Sequence, residues 1–495
     1  ILYALLTVAA GARLLLAVAA MPPYAGLDEL YHVARLAFVA QEHRNPTTSE
    51  PSVPAYLDQS LDQKWTALPA FAIIGERWPA VVATNPHLIQ SRALSAERIR
   101  PYGRPNYEAQ QPSLYYSAVA PLRPGTDVGE LRIFRLVALL FAMATVVAAA
   151  LLAERWFGES GLIAAALIVS LPTWITLVAR AGNDAPACAF VAIAIAMTAF
   201  APQRLSGWIA EGVAWALAIA TKLYAWPVAI VVPLFWWMQR AKRSRMIITT
   251  SLAIAAALLV FADLHSRARN PLGVVAFDRP GGAALQSVVN LRELLSVTIA
   301  SAAWTSGQHW DALRPAAILI YFGPILAVIL LAQRGNRWWR IAAVALATFF
   351  AAQVFNVISC VLARRGGNDI PIGGKEGWYW FVLAPLVTAA LVPPALERLG
   401  RARVVLILWI LAWDILITEG ALFHDFAGTA SPLHPTALFR WGPLQAPFTA
   451  NLSSIGVGPL AAHLVALRLV HLGALVALVM LIRSRPTPSA VTTAG

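Results

Sequence analysis

Asp28, Glu29, His32 and Arg35 stand in "PPYAGLDELYHVARL" (Pro22–Leu36), directly after the first long apolar run. Pro22 and Pro23 stop a helix, because proline lacks an amide proton and its ring clashes with the preceding turn. Gly26 permits a turn, and a new helix is expected to open at Asp28. On that helix Asp28, His32 and Arg35 fall at i, i+4 and i+7, on one face, with Glu29 on a neighbouring face. A carboxylate held there can take a proton from a hydroxyl, and Arg35 can hold or neutralise an anion. The structural alternative is an exposed helix-start carboxylate in an intrahelical ion pair, since acidic residues are common in first turns.

Further segments carry groups of the same kind. "NYEAQQPSLYYSAVAPL" (Asn106–Leu122) sets Glu108, Gln110 and Gln111 before Pro112, then Tyr115 and Tyr116. Amides and hydroxyls beside an aromatic pair suit a sugar or a polar head group, and equally an interfacial tyrosine pair. In "ARAGNDAPACAF" (Ala179–Phe190), Gly182, Asn183 and Asp184 are turn and helix-cap chemistry, with Pro186 early in the next helix. Arg180 stands within reach of an interfacial phosphate. "ATKLYAWP" (Ala220–Pro227) places Lys222, one of only four lysines, at a span end, where a snorkelling lysine is the alternative. "HSRARNP" (His265–Pro271) supplies Arg267 and Arg269, and "RRGGNDIPIGGKEGWYWFVLAP" (Arg364–Pro385) supplies Lys375 and Glu376. The glycine-rich stretch lacks P-loop spacing, so no nucleotide site is expected. No Ser-His-Asp or zinc-ligand pattern is present, and Cys188 and Cys360 lie inside apolar runs as small core residues.

The elements that must position these groups are membrane spans. Of 495 residues 59% are hydrophobic and 13% charged, against roughly 45–50% and about 25% in soluble domains. Apolar runs fall at about 1–21, 133–153, 160–180, 185–201, 206–221, 224–238, 246–263, 314–332, 341–362, 378–395, 403–421 and 457–482. Each approaches the ~20 residues that cross a bilayer as a helix, and none alternates like a barrel strand. The fold class is therefore all-α integral membrane, with about twelve transmembrane helices. The net charge of +13 sits in short stretches such as "QRAKRSRM", "QRGNRWWR" and "ERLGRARV". That is a positive-inside signature, which reports topology and anionic lipid and excludes nucleic acid as its explanation. The rule places both termini in the cytoplasm. The long segments 22–132, 264–313 and 423–455 then face outward, and every segment above lies at that outer side. Residues 1–485 form one polytopic unit. Segment 22–132 carries juxtamembrane helices, residues 486–495 form a disordered tail, and a few residues are expected before Ile1. Arg13, Glu211 and Asp414 stand inside spans, where a charge must face the bundle or a wet cavity.

In order and sidedness these segments resemble the GT-C superfamily of polytopic glycosyltransferases. "LDELYH" is similar to the family's acidic motif, "EAQQPSLYY" to its "HQPPLYY"-type element, "AGNDAPA" to its Asn-Asp turn, "TKLYAWP" to a Lys-Leu-Thr span end, and "GWYWFVLAPL" to "GRYLxPxxP". The sequence departs from those patterns at Gln110, Ser113 and Trp378. Protein mannosyltransferases and aminoarabinose transferases are the more distant likenesses. The resemblance implies a polyprenyl-phosphate-linked sugar donor in a bacterial cytoplasmic membrane. It implies inverting transfer to an acceptor hydroxyl on the extracytoplasmic side, with Asp28 as general base and Glu29 beside it. Arg35, Lys222, Arg267 and Arg269 would meet the donor phosphate. His32, Glu108, Gln111, Tyr115, Asn183, Asp184 and Lys375 would hold sugar or acceptor. No cofactor is expected, with a divalent ion at Asp28 and Glu29 as the alternative for diphosphate donors. A multi-pass transporter or flippase, and an inactive GT-C-like subunit, remain the competing classes.

Overall fold

The computed structural model describes residues 1–20, 29–47, 50, 107–123, 127–200, 202–229, 231–268, 323, 330–331, 336–365, 377–426 and 457–484. Among them every regular element is helical. The helices are α1 (Leu2–Ala20), α2 (Glu29–Glu42), α3 (Leu114–Val119), α4 (Asp127–Phe157), α5 (Gly161–Ile168), α6 (Pro172–Val178), α7 (Asp184–Phe200) and α8 (Leu205–Thr221). They continue with α9 (Ala225–Val228), α10 (Val231–Gln239), α11 (Arg243–Ala268), α12 (Arg337–Arg365), α13 (Ala384–Leu399), α14 (Arg403–Phe426) and α15 (Val457–Ser484). Short 3₁₀ turns at Tyr107–Gln110 and Gly377–Leu383 precede α3 and α13.

Among the described residues five stretches are long and apolar enough to cross a membrane: Leu131–Ile168, Arg243–Arg267, Arg337–Phe355, Trp380–Ile415 and His463–Arg483. Shorter apolar helices at Leu2–Val18, Asp184–Phe200, Leu205–Thr221 and Ala225–Gln239 accompany them. The 17-residue helices α7 and α8 reach about 26 Å at 1.5 Å per residue, close to the hydrocarbon thickness.

Two expected spans are broken. The apolar run at 160–180 is divided into α5 and α6, with Leu171 extended (φ −85°, ψ 109°) before Pro172. Proline bars the α conformation for the residue ahead of it and cannot donate to the helix ladder. The run at 224–238 divides likewise into α9 and α10, with Pro227 and Pro233 in its length. The run at 314–332 lies outside the described residues, apart from 323, 330 and 331. So do most of segments 22–132, 264–313 and 423–455, and the tail 486–495.

α7 packs against α4 and α8, α8 against α11, α13 against α4 and α5, and α1 against α15 and α4. The shared core is rich in alanine, which lets backbones approach in place of long side chains. Gly212 shows how close: a Cβ there would stand 2.6 Å from Leu252 Cδ1 and 3.2 Å from the Thr249 Cα across the α8–α11 crossing. A second, smaller core joins α2, α3, the start of α4 and Ala181.

The span charges Arg13, Asp414 and Glu211 are each paired within the bundle. Arg13 Nη2 donates to Asp414 Oδ1 at 2.6 Å, and Arg468 Nη1 donates to Asp414 Oδ2 at 2.6 Å, joining α1, α14 and α15. Glu211 accepts from Arg245 Nε at 2.7 Å and from the Trp236 indole at 3.2 Å, joining α8, α11 and α10. Arg245 also donates to Gln239 Oε1 at 2.9 Å and the Thr198 carbonyl at 2.9 Å. Desolvation of a lone charge costs several kcal/mol, so such partners are required, and these knots fix the spans against one another.

Candidate active site

Glu29, His32, Arg35, Tyr115, Asp184, Lys222 and Arg267, among the groups singled out by the sequence, lie at one end of the bundle, where α2, the 107–116 segment, the start of α4, the 179–184 turn, the end of α8 and the end of α11 meet. The described helix opens at Glu29, and Asp28 lies just outside the described residues. Glu29 is fully buried. Its Oε1 accepts from Arg135 Nε at 2.8 Å and from the Ala181 backbone N–H at 2.8 Å, and its Oε2 accepts from Arg135 Nη2 at 2.7 Å. Both oxygens are thus engaged by α4 and by the turn. For Glu29, the exposed intrahelical ion pair offered as the alternative is not what forms. Glu29 is instead a buried tie between three elements.

His32 and Arg35 point together to another face, as their spacing predicts. His32 Nδ1 lies 2.7 Å from the Tyr116 hydroxyl, and the Arg35 guanidinium sits 3.7 Å above the Tyr116 ring. Such stacking on a buried aromatic ring contributes roughly 0.5–2 kcal/mol. The other edge of His32 abuts the turn: a Cβ on Gly182 would stand 2.8 Å from His32 Cδ2. Only glycine admits the ring so near the backbone.

The turn itself is held from both sides. Asn183 Nδ2 donates to the Thr221 carbonyl at 3.2 Å. Asp184, at the start of α7, receives Arg180 on Oδ2 and Lys222 on Oδ1, and the Tyr224 hydroxyl donates to Oδ1 at 2.8 Å. Asp184 is 1% exposed, Arg180 2% and Lys222 4%. Lys222 follows the last residue of α8 and leaves the helix in an extended conformation, which turns its chain inward. It is not a snorkelling lysine. Two cations thus meet one carboxylate in a buried place, where Coulomb interactions are far stronger than in water.

Tyr115 is buried against this turn, edge-on to Tyr116 with ring centroids 5.1 Å apart. Burial pushes its phenol pKa up, and the Asp184 and Glu29 carboxylates push it further the same way. It is a neutral hydroxyl at any physiological pH.

Arg35 and Arg267 close the outer rim. Arg35 donates to the Gln111 carbonyl at 3.1 Å and to Asn45 Oδ1 at 2.9 Å. Arg267 donates to the Ala109 carbonyl at 2.6 Å and the Gln111 carbonyl at 3.3 Å, and pairs with Asp263 at 2.5 Å. Both arginines therefore grip the carbonyl end of the Tyr107–Gln110 turn, which complements its dipole. Glu108 lies within that turn. Arg269 and Lys375 lie outside the described residues. Arg135 was not singled out by the sequence, although a usable signal existed: an arginine one turn inside an apolar span needs a buried partner. Among the described residues no three His, Cys, Asp or Glu side chains come together as metal ligands would.

Residues 128–264, which run from the start of α4 nearly to the end of α11 and include Arg135, Arg180, Asp184 and Lys222, match the model of the dolichyl-phosphate-mannose-protein mannosyltransferase family. No curated protein matches the chain. Among solved structures the chain is similar to ArnT from Cupriavidus metallidurans bound to undecaprenyl phosphate. Identity is 13%, over 96% of this chain and 76% of that one, with a TM-score of 0.47. The likeness to the GT-C glycosyltransferases, visible first in short motifs, is joined by this family match over residues 128–264, a little over a quarter of the chain.

Proposed function

We propose that the protein transfers a sugar from a polyprenyl-phosphate carrier to an acceptor hydroxyl at the outer face of a bacterial cytoplasmic membrane. One observation carries this reading. The segment that matches the mannosyltransferase family brings two buried cations, Arg180 and Lys222, onto one carboxylate. It does so at the end of the bundle where the helix of the acidic motif begins.

The chemistry follows from those charges. Asp28 takes the proton from the acceptor hydroxyl as its oxygen attacks the anomeric carbon. The bond from that carbon to the phosphate oxygen breaks, and the carrier leaves as prenyl phosphate. A single displacement inverts the anomeric centre. Negative charge grows on the departing phosphate, and preorganised cations stabilise it more in the transition state than in the ground state. Arg180 and Lys222, gathered around Asp184, supply that field. Glu29 acts through position: tied to Arg135 and Ala181, it sets where the preceding residue, Asp28, enters α2. Arg35 and Arg267 fix the 107–116 segment, and with it Tyr115 and Tyr116.

The test is binding of undecaprenyl phosphate to the purified protein in nanodiscs. The wild type is expected to bind, and Lys222→Met to bind roughly 10- to 100-fold more weakly, the range for losing one charge-assisted contact. Absence of binding by the wild type would remove the donor class from consideration.

A further inference from the structure

The turn that follows α8 sets two different donors on one carboxylate oxygen. Lys222 and Tyr224 stand two residues apart, and a hydrogen bond from the Ala225 N–H to the Lys222 carbonyl, 3.1 Å long, closes the turn that carries both. The Lys222 ammonium donates to Asp184 Oδ1, and the Tyr224 hydroxyl donates to the same oxygen at 2.8 Å. The other oxygen, Oδ2, receives Arg180. The Lys222 nitrogen also lies 5.0 Å from the centre of the Tyr224 ring. Neighbouring rings aim the hydroxyl. Tyr224 meets Phe349 of α12 edge-on with centroids 6.5 Å apart, and Trp226 holds the turn to α11 through Phe261 at 5.2 Å. The two donors differ in what they can do. An ammonium has three protons on a flexible stem, whereas a phenol has one, and its direction is set by the ring. Asp184 Oδ1 is buried, and a buried acceptor left without a donor is costly, so either donor alone keeps it satisfied when the other leaves.

We infer that Tyr224 is a positioning residue whose hydroxyl holds Asp184 Oδ1, so that the Lys222 ammonium is free to turn to the carrier phosphate. The inference rests on the donor reading above and deepens it. In the unloaded protein Lys222 is held on Asp184, beside the Tyr224 ring. When a phosphate oxygen arrives, the amine exchanges one anionic partner for another. Arg180 on Oδ2 and Tyr224 on Oδ1 then keep the carboxylate paired. Without the phenol, the same movement strands a buried acceptor, and the cost falls on binding. Lysine suits the moving role and arginine the fixed one, because the guanidinium is a rigid fork and the ammonium a point charge on a flexible chain. α12 lies outside the matched segment 128–264, yet through Phe349 and Tyr224 it sets how readily Lys222 is released.

The experiment measures Kd for undecaprenyl phosphate in nanodiscs with the wild type, Tyr224→Phe, Lys222→Met and the double variant. Thermal melting of the same four proteins without carrier gives their stability. Tyr224→Phe keeps the ring against Phe349 and removes only the hydroxyl. Asp184 then retains Arg180 and Lys222 in the unloaded protein, so melting is expected to move little. Carrier binding is expected to weaken about tenfold, the worth of one hydrogen bond to a charged group. In the Lys222→Met background there is no amine to release, so adding Tyr224→Phe is expected to weaken binding by less than about twofold. A tenfold loss in both backgrounds would mean that the hydroxyl meets the carrier itself, and would overturn the inference. Unchanged affinity in the single variant would overturn it too, as would a loss of stability as large as the loss of affinity. Each of these results leaves the donor reading in place, whereas failure of the wild type to bind the carrier overturns both.

Discussion

Replacing Glu29 by leucine removes the acceptor for three hydrogen bonds at once. Arg135, 5% exposed, would lose its carboxylate while keeping a contact to the Val18 carbonyl at 3.3 Å. Leaving one partner of a buried ion pair uncompensated costs about 3–5 kcal/mol. The orphaned Ala181 amide adds about 1–3 kcal/mol. Losses of that size exceed what the small core of α2, α3 and Ala181 can absorb, so α2 is expected to open locally before the bundle unfolds. Amide hydrogen exchange in nanodiscs reads this directly. In Glu29→Leu, protection over α2 and residues 179–184 is expected to fall by about 1000-fold or more, the factor equivalent to at least about 4 kcal/mol. Pairing it with Arg135→Met removes the stranded charge, and a buried ion pair replaced whole is often nearly neutral. The double variant is therefore expected to recover most of the protection, with a residual loss from the Ala181 amide. Unchanged protection in the single variant, or additive damage in the double, would refute the tie. Recovered protection with turnover still abolished would assign Glu29 to the chemistry instead.

Other outcomes follow from the same coordinates. Asp414→Ala leaves Arg13 and Arg468 facing each other inside the bundle, and thermal melting in detergent is expected to show a loss of about 3–5 kcal/mol. Gly182→Ala puts a methyl 2.8 Å from His32 Cδ2, a ring tied to Tyr116, and is expected to cost about 1–3 kcal/mol in the same assay. Glu50 is held by hydrogen bonds from the Arg44 guanidinium, which outweigh its partial burial and bring its pKa from 4.5 down to about 2. A depressed carboxyl stabilises above its unfolded pKa, so the 44–50 loop is expected to stay locked above about pH 4.5. Its hydrogen-exchange protection should be lost as pH falls from there toward 2, and indifference to pH in that range would contradict the pairing.

Much of this architecture is legible in the sequence, and the limits have physical causes. Span positions follow from apolar run length, since α1, α7, α8, α11, α12 and α14 fall within several residues of the runs at 1–21, 185–201, 206–221, 246–263, 341–362 and 403–421. The breaks before Pro172 and within 225–239 escape a hydropathy reading, because proline is itself tolerated in apolar runs and acts on backbone geometry. His32 and Arg35 share a face because helical spacing requires it. That Glu29 closes on Arg135 and Ala181, 106 and 152 residues away, depends on tertiary packing that no local pattern encodes. The same holds for Lys222. Its position at a span end is plain, but whether its amine turns outward to solvent or inward to Asp184 is decided by the partner across the turn.

The central claim is that Asp28 removes the acceptor proton while the donor phosphate departs. It is tested most directly by release of undecaprenyl phosphate from carrier-linked sugars, comparing the wild type with Asp28→Asn in the same nanodiscs. The account predicts turnover in the wild type, and in Asp28→Asn a loss of at least about 100-fold, the usual contribution of a positioned general base, with carrier affinity unchanged. Equal turnover in the two proteins would contradict it.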